Sequence, residues 1–119
     1  YQINISIGLE NKKYINMQTG IELITKERQE QIEKHGRTID HDVKNNAEGQ
    51  LIEGIMLLIS NIGFKRQNIE MPKDAFEDLR PSDWSREICW KMLAKPEIEQ
   101  LQIIGTFAAA EIDRLQNTK

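Results

Sequence analysis

The stretch Glu27-Arg28-Gln29-Glu30-Gln31-Ile32-Glu33, followed by Gly36, Thr38 and His41-Asp42, brings together the side chains of this chain best suited to chemistry. Arg28, near the start of an expected helix, offers a planar fork of donors that suits phosphate or carboxylate. His41 and Asp42 fall in the loop expected directly after that helix. A second charged cluster, Glu111, Asp113 and Arg114, lies on the final helix. Two readings of the arginines stand side by side. In one, Glu27 and Glu111 each pair with the other cluster's arginine and fix the helix register. In the other, Arg28 and Arg114 hold an anionic ligand between the helices.

A divalent cation for phosphate chemistry wants several carboxylates converging from two helices. Glu27, Glu30 and Glu33 recur at intervals of three, and Glu53 stands on the next helix. With Mg²⁺ they would make a nucleotide pyrophosphohydrolase, whose helices carry paired acidic motifs. The partner motif is not clean here, because Glu111-Ile112-Asp113 has the wrong spacing, and three carboxylates on one helix also describe a solvated face. A His-Asp phosphohydrolase needs several histidines, and the chain has two, His35 and His41. Cys89 lies on an apolar helical stripe beside Trp90, which fits an inert thiol better than an activated one. The seven glycines are scattered at element ends and form no phosphate loop. Trp84 and Trp90 are six apart and cannot share one helical face. Trp84, or Phe76 in an expected loop, would supply a surface on which a nucleobase stacks.

The elements that must position these groups fit one domain over residues 1–119, with 39% hydrophobic residues for a single small core. Sixteen Lys and Arg against 19 Asp and Glu give a net charge of −3. That balance argues against general nucleic-acid binding, which rests on neutralising many phosphates. No apolar run approaches the roughly 20 residues of a membrane span, and one cysteine excludes an intrachain disulfide. A cytoplasmic protein without a membrane partner is the expectation.

Gln2-Ile3-Asn4-Ile5-Ser6-Ile7 alternates with period two, and Tyr14-Ile15-Asn16-Met17 resumes the pattern, so residues 1–20 read as a β-hairpin arm. Such a hairpin is marginal alone and should pack on the helices or on another copy, so a homo-oligomer is expected. Thr25 reads as the N-cap of a helix that Gly36 stops. Arg37 to Asn46 has turn chemistry, and Asn46 reads as the cap of a central helix carrying Leu51, Ile55, Leu58 and Ile62 and ending at Gly63. Residues 64–80 read as a loop, and Pro81-Ser82-Asp83 as the opening of a short helix. A last helix over about Glu97 to Gln116 has Ile98, Leu101, Ile104, Gly105, Ala108, Ile112 and Leu115 on one stripe. Gly105 and Ala109 would admit another helix closely. The class expected is α+β, mainly α: a bundle of about four helices over 21–119 with an N-terminal β-hairpin.

The pattern Glu27-Arg28-x-x-Gln31-Ile32-x-x-x-Gly36-x-Thr38-x-x-His41-Asp42, then Gly49-Gln50-Leu51, Trp90-Lys91, Lys95-Pro96 and Ala109-Ala110-Glu111-Ile112-Asp113-Arg114-Leu115, resembles a group of short phage and prophage proteins. The likeness covers roughly residues 23 to 116 and points to an origin. In plan the chain is also similar to the Thoeris anti-defence sponges, compact oligomers that hide nucleotide signals from host effectors. That resemblance implies an anti-defence protein in the bacterial cytoplasm. It would sequester a phosphorylated nucleotide signal, a cyclic ADP-ribose derivative or cyclic oligonucleotide, without turnover and without a cofactor. Arg28 and Arg114 would hold phosphates, His41 and Asp42 the ribose or base, and Trp84 or Phe76 would stack. The alternatives are the Mg-dependent hydrolase using Glu27, Glu30, Glu33 and Glu53, and an inhibitor covering a host enzyme through its Gly105/Ala109 face.

Overall fold

Thr19 stands in extended backbone (φ −73°, ψ 165°), accepts the Glu22 N–H with its hydroxyl and gives its own N–H to Glu22 Oε1 at 2.8 Å. This capping box starts the first helix, α1 (Gly20–His35), six residues ahead of the cap expected at Thr25. The Thr25 hydroxyl donates instead to the Ile21 carbonyl inside the helix. Gly36 ends α1 with φ 64°, the left-handed conformation that favours glycine.

The computed structural model describes residues 18–118. Among these residues there are six helices and no strand. This corrects the expectation of an α+β protein with about four helices. The hairpin expected over 1–20 falls on residues 1–17, which lie outside the described residues; at its end, Gly20 already belongs to α1.

The two additional helices come from segments read as turns or loops. Thr38 accepts the His41 N–H with its hydroxyl and opens α2 (Ile39–Asn45), so Arg37 to Asn46 is mostly helix. Asn46 closes α2 rather than opening the next helix; that helix, α3 (Gln50–Arg66), follows Gly49 at φ 86°. It continues through Gly63 to Arg66. The 64–80 segment contains α4 (Lys73–Leu79) behind Pro72, a proline whose missing N–H costs nothing at a helix entrance. Ser85, not Pro81, opens α5 (Arg86–Leu93), and α6 (Glu97–Gln116) follows Pro96 as its spacing predicts.

The core lies where α3 meets α6, α4 and α5, around Leu51, Leu57, Leu58, Phe76, Leu93 and Phe107. Phe76 is 1% exposed and stacks on Trp90 with ring centroids 4.0 Å apart. A buried aromatic on so short a helix is what fastens the 64–80 segment to the domain.

The last helix turns a face other than the expected stripe inward. Ile98, Leu101, Ile112 and Leu115 are exposed, while Gln100, Thr106, Glu111 and Arg114 are buried beside Ile103, Phe107 and Ala110. Partners make this affordable. Gln100 donates to the Leu93 and Lys95 carbonyls and accepts from Asn61, and Gln31 Nε2 donates to Thr106 Oγ1 at 2.8 Å. The close approach expected at Gly105 is made within the chain: a Cβ there would collide with the Ile24 side chain on α1. The Gly105 part of the face assigned to a host enzyme is therefore covered by α1. Among the described residues no helix is long and apolar enough to cross a membrane.

Candidate functional site

The short helix α2 and the entrance of α5 face each other across a pocket of about 530 Å³. One wall carries His35 and Arg37 from the end of α1 and the residue after its cap, with His41, Asn45 and Asn46 from α2. Opposite stand Asp83, Trp84, Ser85 and Ile88. Both histidines of the chain and one of its tryptophans thus share one space, with an arginine that the sequence reading left aside.

Each wall is held from behind. The Trp84 indole N–H donates to Asn46 Oδ1 at 3.3 Å, and its ring meets Phe107 edge-on at 5.4 Å. The same ring lies on Gly54, where a Cβ would come within 2.8 Å of it, so α3 needs a glycine there. Arg80 Nη1 donates to the Trp84 carbonyl at 2.6 Å. Asn46 donates in turn to Asp42 Oδ1 at 2.8 Å, and Gln50 Nε2 donates to Asp83 Oδ2 at 3.0 Å. The Ser85 hydroxyl accepts the Ile88 N–H and sets the first turn of α5 at the rim.

Behind α2 lies a buried charge cluster that joins three helices. Arg28 Nη1 donates to the Arg37 carbonyl at 3.0 Å. Its Nη2 sits 3.6 Å from Asp42 Oδ2 and 3.5 Å from Asp113 Oδ2. His41 Nδ1 is 3.6 Å from Asp42 Oδ1. These separations exceed hydrogen-bond length, and Arg28 Nη2, Asp42 Oδ2 and His41 Nδ1 have no hydrogen-bond partner. The cluster sets one guanidinium against two carboxylates and is loosely hydrogen-bonded. On α6, Arg114 grips Glu111 through two bonds of 2.7 and 2.8 Å. The Glu111 hydrogen bond holds the Arg114 pKa above its ordinary value against the cost of burial, with Asp42 adding to the attraction.

This arrangement realises the structural-pair reading of the arginines with other partners. Arg28 pairs with Asp42 and Asp113 rather than with Glu111, and Arg114 with Glu111 rather than with Glu27. Neither arginine lines the pocket, so neither is placed to receive a phosphate there. Asp42, 1% exposed, lies behind the α2 wall; His41 is on that wall and Trp84 on the one opposite. Phe76 is in the core against Trp90 and is not available for stacking on a ligand.

The glutamates do not assemble. Glu33 and Glu53 are exposed and Glu27 and Glu30 half-buried, and among the described residues no three His, Cys, Asp or Glu side chains gather in a way that would hold a metal ion. Cys89 is buried, and burial pushes its thiol pKa up. His35 and Arg37 went unassigned in the sequence, although a signal was present: Gly36 turns the chain between them, and a cap at Thr38 immediately follows. Compared with protein-family models, curated proteins and solved structures, the chain matches none.

Proposed function

We propose that the chain binds and sequesters a small phosphorylated nucleotide signal without turnover, as a phage or prophage anti-defence protein acting in the bacterial cytoplasm. One observation carries the reading: Arg37, His35, His41 and Trp84 face a single pocket of about 530 Å³. That volume lies within the roughly 300–1,000 Å³ typical of small-molecule sites. Trp84 offers aromatic surface to a base, and Arg37 a fork of donors to a phosphate. Among the described residues the Arg37 guanidinium makes no ion pair or hydrogen bond, whereas Arg28 and Arg114 are engaged by carboxylates. Arg37 therefore takes the phosphate role first given to those two, and they become positioning residues: Arg28 holds the Arg37 backbone and, with Asp42, the α2 wall.

The test incubates the full chain with a panel of nucleotides and cyclic nucleotides, with and without Mg²⁺, and follows the melting point and the identity of heat-released small molecules. Intact ligand with a raised melting point is expected. Arg37→Gln should weaken capture about tenfold or more, the scale of a lost charge-assisted contact, while leaving the melting point of the free protein unchanged. Wild-type affinity in Arg37→Gln overturns the reading. Mg-dependent conversion to a monophosphate and pyrophosphate replaces it with the hydrolase.

A further inference from the structure

The charge lining the pocket narrows the ligand further, on the footing that the pocket binds a nucleotide at all. Among the described residues that line it, Arg37 is the one permanent cation and Asp83 the one carboxylate. Asp83 is anchored, since Gln50 donates to its Oδ2 at 3.0 Å and Gln50 is itself buried and accepts the Glu48 N–H. His35 and His41 add positive charge on protonation alone.

Nucleotide phosphates differ in the charge they bring. A phosphodiester carries one negative charge. A terminal phosphate carries about −1.5 to −2 at pH 7, and di- and triphosphates carry more. Arg37 alone matches the phosphodiester. The second charge of a terminal phosphate finds the exposed Asp83 carboxylate on the same pocket lining, and like charges brought together disfavour a ligand. The pocket volume, about 530 Å³, suits one nucleoside better than two.

We infer that the pocket takes a single nucleoside closed by a phosphodiester, a cyclic mononucleotide, and that Asp83 is the specificity residue that turns away terminal phosphates.

The experiment measures binding of the full chain by calorimetry, without Mg²⁺, at one fixed pH. The probes are 3′,5′-cyclic AMP, 3′,5′-cyclic GMP, 5′-AMP, ADP and ATP, each against the wild type and Asp83→Asn. In the variant the new amide oxygen still accepts from Gln50, and Asp83→Ser serves as a second way of removing the charge. A cyclic mononucleotide should bind about tenfold or more tighter than the 5′-monophosphate of the same base, with ATP weakest. Removing the Asp83 charge should shrink the preference to about threefold or less. Equal or tighter binding of 5′-AMP or ATP by the wild type, or a preference unchanged in both variants, overturns the inference and leaves nucleotide capture standing. Absence of binding by every probe overturns both.

Discussion

Gly54 is the point at which the core and the pocket wall depend on one missing methyl group. A Cβ added there would lie 2.8 and 3.0 Å from Cζ3 and Cη2 of Trp84 and 3.0 Å from Cε2 of Phe107. Carbon atoms pack best at about 3.5–4.0 Å, so Gly54→Ala must drive two rings apart by about half an ångström or more. Phe107 is 1% exposed and Trp84 is held by Asn46, so neither ring is the loose end of a flexible side chain. Overpacking of this kind costs about 1–3 kcal/mol. Replacing glycine in a helix interior returns about 1 kcal/mol. The net expectation is a loss of about 1 kcal/mol, seen as a fall of roughly 4–8 °C in melting temperature for a domain of this size. Because the two effects nearly balance, the decisive measurement is a double-mutant cycle with Trp84→Leu, read by urea denaturation followed by far-UV circular dichroism. Without the indole the helix gain should dominate, and Gly54→Ala should become neutral or stabilising, with a coupling of about 1–2 kcal/mol. A stabilised Gly54→Ala in the wild-type background, or the same cost in both backgrounds, refutes the packing argument.

Two further outcomes follow from the buried polar groups. Asp42→Ala strips Arg28 of one of its two carboxylates and Asn46 of its acceptor; breaking a buried pair typically costs about 3–5 kcal/mol, and the long 3.6 Å separation from Arg28 lowers the expectation to about 2–3. Chemical denaturation of the variant checks this, and a loss under about 1 kcal/mol would mean that the cluster contributes little beyond solvated charge. Cys89 is sealed in the core and its pKa is raised, so it stays protonated and shielded at pH 8. A thiol reagent should therefore modify it at the rate of global unfolding, and rapid labelling of the native protein would contradict that burial.

The helices were legible wherever a local signal and burial agreed. Pro96 and the apolar stripe at spacings of three and four gave α6 its bounds, and Gly36 gave α1 its end. Starts were misread where two capping residues competed. Thr19 prevails over Thr25 because Glu22 completes a capping box with it, satisfying two otherwise free N–H groups. The short helices α2 and α4 escaped notice because seven residues show too little period for a pattern. Their stability comes from what they pack against: Phe76 in the core for α4, the Asp42 cluster for α2. The α6 stripe misled for a related reason. Periodicity identifies an apolar face but not the face that other helices bury. In α6 the buried face is rich in polar groups whose partners, such as Asn61, Gln31 and Arg28, lie on other helices.

Partner competition also explains why the two arginines that stood out in the sequence lie away from the pocket. Arg28 and Arg114 stood out because acidic residues surround them, and the same surroundings consume them. Arg28 lies against Asp42 and Asp113, and Arg114 closes a two-bond pair with Glu111. Arg114 must give up Glu111 before it can take a phosphate, and breaking a buried pair of this kind costs several kcal/mol; Arg28 is buried and off the pocket lining. Arg37 has no such debt among the described residues, and its backbone is fixed by Arg28. The cluster therefore acts on the pocket indirectly. Asp42 holds Asn46, and Asn46 holds Trp84, so a charge cluster between α1, α2 and α6 sets an aromatic wall beside α5. Removing Arg28 should loosen that wall without removing a ligand contact, whereas removing Arg37 should do the reverse.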